Sequence, residues 1–370
     1  MATRTSIEWT DVTWSPIIGC TRVSRGCDGC YAISSARIRS ANPNPKIAQA
    51  YAGTTSNTGR VDWTGKVNLL EDRLLQPLSG KGIWRQPCRV FVNSQSDLFH
   101  EAVPEEFIAR ILAVMACTPQ HTYQVLTKRH GRMRSLMNSK DFVSAVRTET
   151  HALDRDAVLG SGPRWQPLLP NLWMGVSVED QRTANLRVPA LLRIPAARRF
   201  ISAEPLLGPV DLTRIPFRGD TDYFVDALDG RYGLREPRES FSFGLADLRP
   251  IDWVIAGGES GPKARPMHPA WARSLRDQCR QSRRRVPFLF KQWGEFRPFW
   301  RPETDGRPCP DPVLYVNAES GEALPEDQVP DTGSWQGVYR LGKKKAGNEL
   351  DGRTWLQTPA RTTTNMEPRR

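Results

Sequence analysis

The stretch RVFVNSQSDLFHEAVPEEFIARILAVMACTPQHTYQVLTK, residues 89–128, holds one complete repeat of the pattern that decides the fold. It opens with a short apolar run rich in β-branched and aromatic residues, which predicts a strand. A helix is expected to begin at Pro104, a favoured first-turn residue, with one apolar stripe. The stripe consists of Phe107, Ile111, Leu112 and Met115. A second apolar run at 122–128 predicts the next strand, so the stretch is typical of a parallel β-α-β unit.

Similar apolar runs recur along the chain, and helical spacing separates several of them. They are TWSPIIGC (13–20), LWMGVSVE (172–179), RFISAEP (199–205), DWVIAGGES (252–260) and PFLFKQW (287–293). A further helix is expected to begin near Pro269 and to bury Trp271, Leu275 and Cys279. Together these elements predict an α/β fold, namely a partial parallel (β/α) barrel of about 6–7 strands.

The predicted barrel occupies residues 1–296, with insertions at about 40–87 and 211–250. Within the first insertion, WTGKVNLLEDRLLQPL (63–78) predicts a loop followed by a short helix. Residues 297–370 are rich in Pro, Gly and charge, which predicts a C-terminal extension packed on the barrel. The tail after about residue 359 is expected to be disordered.

The composition indicates a cellular compartment and a class of binding partner. The sequence shows no run of eighteen apolar residues and no export signal, so no membrane is expected and a cytoplasmic location is predicted. Seven cysteines, an odd number, argue against a disulfide framework in a reducing compartment. The 52 Lys and Arg residues against 40 Asp and Glu residues give a net charge of +12. This excess indicates a polyanionic partner such as nucleic acid.

Polar or charged residues follow the apolar runs of six predicted strands. Chain direction puts the carboxyl ends of parallel strands at one edge, so these side chains are expected to converge there with the cysteine loop described next. Sites in such folds are built at that edge, although strand ends are also polar where they merely meet solvent. The residues are Asn93, Ser94 and Asp97; Thr127 and Lys128; Ser177 and Glu179; Glu204; Gly257, Gly258 and Glu259; and Lys291 and Gln292.

Three of the cysteines are concentrated in GCTRVSRGCDGCYA, residues 19–32. Cys20, Cys27 and Cys30 have the spacing C-x6-C-x2-C, and a glycine precedes each, so the backbone can fold closely around an inorganic centre. A structural zinc site would need a fourth ligand, for which His100 could arrive only through the fold. A redox C-x2-C pair would leave Cys20 unexplained. The third interpretation is a four-iron cluster on three cysteines, which leaves one iron open to bind a small molecule.

The cysteine loop, the strands and the polar rim resemble those of the radical S-adenosylmethionine enzymes. Most members have a shorter first gap and an aromatic residue before the third cysteine, whereas here Gly29 holds that place and Tyr31 follows the cysteine. A more specific resemblance is to the phage-associated three-cysteine-motif family, a domain of unknown function. Eight landmarks carry it in order: IEWTDVTWSPIIGC, GCDGCYA, VNSQSDLFH, VLTKRHGRM, MGVSVEDQ, ISAEPLLGPV, VIAGGESG and FKQWGE.

The superfamily resemblance implies two cofactors: a [4Fe-4S] cluster held by Cys20, Cys27 and Cys30, and S-adenosylmethionine bound at the open iron. One electron would cleave the cofactor to a 5′-deoxyadenosyl radical that abstracts hydrogen from the substrate. The matching cofactor contacts are Ser94 and Asp97 for the amine, Lys128 for the carboxylate, Ser177 and Glu179 for the ribose, and Gly257 and Gly258 for the adenine. Lys128 and Glu179 could instead form an ion pair across the rim. The resemblance places Glu204, Glu259, Lys291, Gln292 and Trp293 on the substrate side, with Trp293 either stacking or in the core, and Tyr31 closing the cluster from solvent.

The leading hypothesis is therefore a radical S-adenosylmethionine enzyme acting on nucleic acid, in DNA modification or in repair of a damaged base such as a photoproduct. The candidate phosphate contacts are Arg265, Arg283, Arg284 and Lys343, and a duplex would need its target base extruded. DNA is favoured over RNA, and whether a partner protein completes the site is left open. One alternative is a non-catalytic nucleic-acid-binding protein whose cysteines hold zinc or a structural cluster. Another is radical chemistry on a small molecule or peptide.

Overall fold

Strands and helices alternate along most of the chain. The structure, a computed structural model, describes residues 3–5, 7–56, 59, 61–154, 169–217, 220–234, 248–299 and 314–360. In chain order the strands are β1 (Thr3–Arg4), β2 (Val12–Trp14), β3 (Ile17–Ile18), β4 (Asn68–Leu69), β5 (Arg89–Val92), β6 (Thr122–Thr127), β7 (Leu172–Ser177), β8 (Arg198–Ala203), β9 (Ile215–Phe217), β10 (Asp220–Asp226), β11 (Arg231–Leu234), β12 (Trp253–Gly257), β13 (Phe288–Gln292), β14 (Phe296–Pro298), β15 (Leu314–Asn317), β16 (Ala323–Leu324), β17 (Trp335–Arg340), β18 (Glu349–Leu350) and β19 (Arg353–Thr354).

The helices fall mainly between the strands of the first 300 residues. In chain order they are α1 (Tyr31–Ser40), α2 (Pro45–Tyr51), α3 (Glu71–Leu74), α4 (Glu105–Ala116), α5 (His130–Asn138), α6 (Lys140–Leu153), α7 (Gln181–Leu191), α8 (Pro269–Gln281) and α9 (Lys343–Ala346). Short 3-10 helices cover Arg25–Cys27, Gln76–Ser79, Gly82–Arg85 and Glu326–Gln328.

Seven parallel strands of the described chain form the main sheet, which curls into a half-barrel. Their order is β2-β5-β6-β7-β8-β12-β13, and β1 adds to the β2 edge in the antiparallel sense. Neighbours in this sheet follow one another along the chain, so all seven carboxyl ends lie at one edge. The predicted partial parallel barrel is confirmed at this level.

The two faces of the sheet explain why its strands read as near-continuous apolar runs. One face belongs to a large core that also contains the buried sides of the helices; Val90, Val125 and Val254 point into it. Because side chains alternate along a strand, the residues between them fill the inside of the curl. This second cluster consists of Trp9, Phe91, Trp173, Phe200, Trp253, Ile255 and Leu289. Gly175 makes room for it, since a Cβ there would collide with the ring of Phe200.

Two helices predicted from apolar spacing are confirmed. Helix α4 begins directly after Pro104, which is its N-cap, and all four residues of the predicted stripe are buried. Helix α8 begins at Pro269 and buries Trp271, Leu275 and Cys279. Each stripe is the surface with which its helix packs on the sheet, where burying a large apolar side chain stabilises the fold by about 1.5–3 kcal/mol.

The first predicted strand is shorter than expected. Strand β2 ends at Trp14, and after Pro16 the chain leaves the main sheet and pairs Ile17 and Ile18 with β4. Proline has no N–H to donate to a ladder, so it favours a break there. The chain then crosses the carboxyl edge, where Gly19 N–H donates to the carbonyl of Gln95 at 3.3 Å. This crossing delivers the cysteine loop over the mouth of the half-barrel.

Three additions surround the half-barrel. Residues 63–78 contain β4 and then α3, in agreement with the predicted short helix. Strands β9, β10 and β11 form an antiparallel sheet within the second predicted insertion. After β13, a four-stranded antiparallel sheet of order β14-β17-β15-β16 follows, and Leu350 and Trp355 return to the main core. Residues 361–370, which hold most of the tail expected to be disordered, lie outside the described residues.

Candidate active site at the carboxyl ends of the strands

The carboxyl ends of the strands surround a cavity of about 260 Å³. Toward the barrel interior it is lined by Ile7, Trp9, Phe91 and Leu126, and the rings of Trp9 and Phe91 meet edge to face at 4.7 Å. Many residues proposed from the sequence lie on its wall. They are Cys20, Cys27, Cys30, Tyr31, Asn93, Ser94, Asp97, Thr127, Lys128, Ser177, Glu204, Gly258, Glu259, Lys291 and Gln292. The edge expected from chain direction is therefore where these residues meet.

The three cysteines of the loop all face this cavity. The sulfur of Cys27 accepts a hydrogen bond from Val23 N–H at 3.4 Å, and the thiol of Cys20 donates to the Thr21 carbonyl at 3.4 Å. Burial is the main cause that raises the pKa of Cys20 to about 12, and it also raises the pKa of Cys30. Both thiols are protonated at neutral pH in this environment, so a metal that binds them must displace their protons.

The metal-binding donors of the loop are not gathered around one point. In the described ranges, no group of three or more His, Cys, Asp or Glu side chains is arranged to hold a metal ion. His100, the candidate fourth zinc ligand, has Nε2 3.1 Å from the Thr21 hydroxyl, and its Nδ1 accepts from Ala102 N–H at 3.1 Å. A tetrahedral zinc site needs its donors within about 2.0–2.3 Å of the ion. The zinc interpretation therefore finds no preformed site in this part of the chain.

Two glycines of the cysteine loop lie directly against carboxylates from distant strand ends. A Cβ on Gly26 would lie 2.5 Å from the side chain of Glu179, and a Cβ on Gly29 would lie 2.5 Å from Oε1 of Glu259. Real Cβ atoms do not approach other atoms so closely, so any larger residue would push the loop away from the strands. These glycines precede Cys27 and Cys30, and their absence of side chains lets the loop dock onto the sheet.

Glu179 is the centre of a buried ionic network beneath the loop. Its Oε1 lies 3.2 Å from Lys128 Nζ, and its Oε2 lies 3.0 Å from Nη1 of Arg187. The Ser24 hydroxyl donates to the same carboxylate at 2.8 Å. Burial by itself would raise the pKa of Glu179, but Lys128 and Arg187 outweigh it and hold the pKa below its usual value. Lys128 and Glu179 therefore form the ion pair that was the alternative interpretation of these two residues. The Glu179 side chain packs against Gly26 of the cysteine loop.

Glu259 anchors the other side of the loop through Arg265. Arg265 donates to its carboxylate from Nη2 at 2.6 Å and from Nε at 2.8 Å. The same Nη2 also donates to the carbonyl of Arg25 at 2.8 Å. Arg265, a candidate phosphate contact, is thus half-buried and ties the loop to the end of β12.

Asp97, a predicted contact to the cofactor amine, joins the ends of β5 and β6. Its Oδ1 accepts from Phe99 N–H at 3.0 Å and from the Thr127 hydroxyl at 2.7 Å. Its Oδ2 accepts from Lys128 N–H at 3.0 Å. Three protein donors therefore already use this buried carboxylate, which fixes the loops that carry the neighbouring wall residues.

Glu204 and Lys291 form an ion pair on the cavity wall, with Nζ and Oε1 3.0 Å apart. The Ser202 hydroxyl donates to the second carboxylate oxygen at 3.2 Å. Gly257, expected to allow approach of the adenine, lies against this carboxylate, since a Cβ there would be 2.7 Å from Oε1 of Glu204. The pair leaves a Brønsted acid and base adjacent to the space that a ligand would fill.

The candidate contacts to nucleic acid do not lie together. Trp293 is buried in the main core, and its indole N–H donates to a backbone carbonyl at 2.8 Å, so its environment is that of a core residue. Arg283 and Arg284 precede β13 and therefore lie at the end of the barrel opposite the cavity, where Arg284 donates to Asp252 at 2.8 Å. Lys343 is exposed at the start of α9, just beyond the carboxyl end of β13.

Gln95 and Trp9 are among the wall residues that the sequence analysis did not single out. Gln95 lies between Ser94 and Asp97 in the same run after β5, so its place in the motif was an available signal. Trp9 lies before β2 and gave no such signal, because only the curl of the sheet brings it under the mouth.

The family described as "Protein of unknown function (DUF5131)" matches residues 4–359. The chain belongs to this family. The DUF5131 match takes in the cysteine loop, the half-barrel and the C-terminal sheet, which confirms the coarser part of the predicted resemblance, a domain of unknown function. No curated protein and no solved structure matches the chain. None of the described helices has the length and apolar character needed to cross a membrane.

Proposed function

We propose that the chain is an iron–sulfur enzyme of the radical S-adenosylmethionine type, in which Cys20, Cys27 and Cys30 bind a [4Fe-4S] cluster. The observation that carries the proposal is the position of these thiols. One short loop brings all three to the wall of a cavity at the carboxyl ends of seven parallel strands. Sites in parallel α/β folds are built at this edge, and three protein ligands leave one iron for a small molecule.

A cluster requires less convergence of the three thiols than a single metal ion does. In a cluster each thiolate binds a different iron, so the sulfurs need not converge within about 2.3 Å of one point. The N–H of Val23 already donates to Cys27, and hydrogen bonds to sulfur tune such clusters. Although burial dominates, Arg129 acts to lower the pKa of Cys20, and Lys128 acts to lower that of Cys30.

The residues of the chain supply hydrogen-bonded and ion-paired groups to the wall of the cavity. When bound, a cluster of this type supplies one electron to S-adenosylmethionine. The Tyr31 hydroxyl donates to the Ser94 carbonyl at 2.9 Å, which joins the start of α1 to the loop after β5 beside the third cysteine. Trp9 and Phe91 give the cavity an apolar inner side, and reactive intermediates need protection from water. The ion pair of Glu204 with Lys291 can hold or move a proton at the same wall.

We propose nucleic acid, with DNA ahead of RNA, as the substrate of this enzyme. The net charge of +12 supports a polyanion. Arg265 and Lys343 lie on the same side as the cavity, whereas Arg283 and Arg284 lie at the opposite end. Phosphate contacts close to the site therefore depend on the first two residues.

The test is anaerobic reconstitution of the full chain with iron and sulfide, followed by reduction in the presence of S-adenosylmethionine. We expect a brown protein that cleaves S-adenosylmethionine. Replacing Cys20, Cys27 or Cys30 by Ala should abolish the colour, while the matched control Cys279→Ala, a buried thiol on α8, should keep it. A colourless protein that holds stoichiometric zinc would contradict the proposal. For the substrate, failure of both DNA and RNA to shift in a gel at low salt would argue against nucleic acid.

A further inference from the structure

Two segments that are distant in the chain run side by side along the outside of the half-barrel. Helix α8 connects the parallel strands β12 and β13, so it returns from the carboxyl edge of the sheet to the opposite end. The segment after β17 runs the same way along the edge of β13. Trp293 N–H, at the end of β13, donates to the Gly347 carbonyl at 3.0 Å, and Gln357 N–H donates to the Phe288 carbonyl, at the start of β13, at 3.3 Å.

The ring of Trp355 gathers arginines from both segments. The guanidinium carbon of Arg353 lies 4.5 Å from the ring centroid, that of Arg276 lies 5.4 Å away, and that of Arg280 lies 5.8 Å away. A guanidinium group this close to an indole face is attracted to it. The ring therefore holds three like charges together at the surface between α8 and the C-terminal segment.

Two carboxylates neutralise part of this charge. Asp351 accepts from Arg273 at 2.8 Å and from Arg276 at 2.5 Å, and Asp277 accepts from Arg276 at 2.9 Å. Arg276 is thus the most heavily paired, and its side chain is 11% exposed, whereas that of Arg280 is 58% exposed. Arg276 fixes the two segments together, and Arg280 presents its charge to the exterior.

The basic surface extends in both directions from this ring. Past the end of α8, Arg285 donates to the Arg280 carbonyl at 2.7 Å, and Arg283 is exposed beside it in the chain. Toward the cavity side, exposed lysines at 343–345 precede Gly347 next to the carboxyl end of β13. Helix α8 has 13 residues and is therefore about 20 Å long. The arginine stripe consists of Arg273, Arg276, Arg280, Arg283, Arg285 and Arg353.

We propose that the arginine stripe binds the sugar-phosphate backbone of nucleic acid and leads the polymer along α8, away from the mouth of the cavity. The inference deepens the proposed function and rests on it for the class of partner, but it needs neither the cluster nor the cavity. The stripe is as long as about six successive phosphates of one DNA strand. Planar guanidinium groups match phosphate oxygens in pairs, and a polyanion relieves the repulsion between the crowded cations.

An anionic membrane fits this surface less well than a polymer does. A helix that lies on a bilayer inserts an exposed apolar face. The apolar side of α8, which carries Trp271, Leu275 and Cys279, is buried in the main core. The stripe therefore offers charge to a partner without an apolar face from α8.

The test is binding of labelled nucleic acid to the full chain without added iron, followed by fluorescence anisotropy. The probes are a DNA duplex and a single-stranded RNA, and the salt concentration is varied between about 50 and 200 mM. The variant combines Arg280→Gln with Arg353→Gln, two exposed arginines of the stripe. Each lost phosphate contact should lower the slope of log affinity against log salt by about 0.9, which at about 0.1 M salt corresponds to about eightfold weaker binding per contact.

Two controls separate local contacts from net charge. Arg85→Gln combined with Arg134→Gln removes the same charge from exposed arginines outside the stripe and should leave the slope unchanged. Arg280→Lys combined with Arg353→Lys keeps the charge and should retain most of the slope. Thermal unfolding checks that each variant is folded.

Wild-type affinity and slope in the Gln pair would overturn the proposal, and the proposed substrate would still stand if the wild type binds nucleic acid. An equal loss in the control pair would also overturn it, because net charge alone would then explain binding. Binding to vesicles that contain phosphatidylserine, without binding to either nucleic acid, would assign the stripe to a membrane instead. Since no iron is used, none of these outcomes depends on whether the cluster forms or S-adenosylmethionine is cleaved.

Discussion

Replacing Glu179 by Gln tests the ionic network beneath the cysteine loop. The Glu179 side chain is 1% exposed, and those of Arg187 and Lys128 are 4% and 19% exposed. Glutamine keeps the shape but removes the charge, so two largely buried cations lose their counterion. Breaking a buried ion pair by removing one partner costs about 3–5 kcal/mol. We therefore expect the Glu179→Gln variant to lose about 3–5 kcal/mol in its free energy of unfolding at neutral pH.

The matched control is Glu71→Gln, which breaks an ion pair of equally good geometry on the surface. Two nitrogens of Arg110 donate to Glu71 at 2.7 Å, but the side chain of Glu71 is 61% exposed and that of Arg110 is 37% exposed. An exposed pair of this kind contributes less than about 1 kcal/mol. Urea unfolding, followed by tryptophan fluorescence, compares the stability of the variants. If the slope of the unfolding free energy against urea concentration is unchanged, the substitution altered stability alone.

The pH dependence gives a second check on Glu179. Its pKa in the folded protein is lowered, so its contribution is fully present above the unfolded pKa of about 4.3. That contribution is lost as the pH falls through the folded pKa. The stability difference between wild type and Glu179→Gln should therefore shrink in acid. A loss no larger than that of Glu71→Gln, or one that stays constant in acid, would refute the reasoning.

Three other changes test the loop, the sheet and the C-terminal segment. Gly29→Ala should lower the free energy of unfolding by about 1–3 kcal/mol through overpacking, because the new Cβ would meet Glu259. It should also speed alkylation of Cys30, and an unchanged labelling rate in mass spectrometry would count against the docked loop. Asn171→Ala should cost about 3 kcal/mol in urea unfolding, since its side-chain N–H groups donate to three buried backbone carbonyls; a loss under about 1 kcal/mol would show that these bonds are dispensable. Trp355→Ala should cost about 3–5 kcal/mol, because this side chain is 7% exposed in the main core; an unchanged thermal midpoint would mean that the segment after β17 does not stabilise the half-barrel.

Local patterns were sufficient to predict most elements of the half-barrel. The stripe that begins at Phe107 and the apolar runs of β5 to β8, β12 and β13 depend on residues two to four positions apart, and each lies where its spacing indicated. The strand through residues 13–20 was overextended, because Pro16 ends its pairing with the main sheet. Chain direction alone then placed the polar strand ends and the cysteine loop at one edge.

The roles of individual site residues could not be predicted in the same way. The contact of Asp97 with a cofactor amine stays a prediction, and the structure adds three donors from its own neighbourhood that the sequence did not indicate. Trp293 follows a strand that ends at the cavity, yet its side chain turns into the core. Neighbouring residues can point to opposite sides, so a position near the mouth does not decide which way a side chain faces.

By itself, the amino-acid sequence determined the succession of strands and helices, the edge at which polar groups collect and the close spacing of Cys20, Cys27 and Cys30 along the chain. Only the tertiary structure decided that Gly26 lies on Glu179, that Lys291 pairs with Glu204 and that residues after β5 and at the end of β13 line one cavity. The physical reason is the distance along the chain over which each kind of interaction acts. Periodicity is set by neighbours along the chain, whereas ion pairs and hydrogen bonds require atoms within about 3 Å that the curl of the sheet brings together from distant segments.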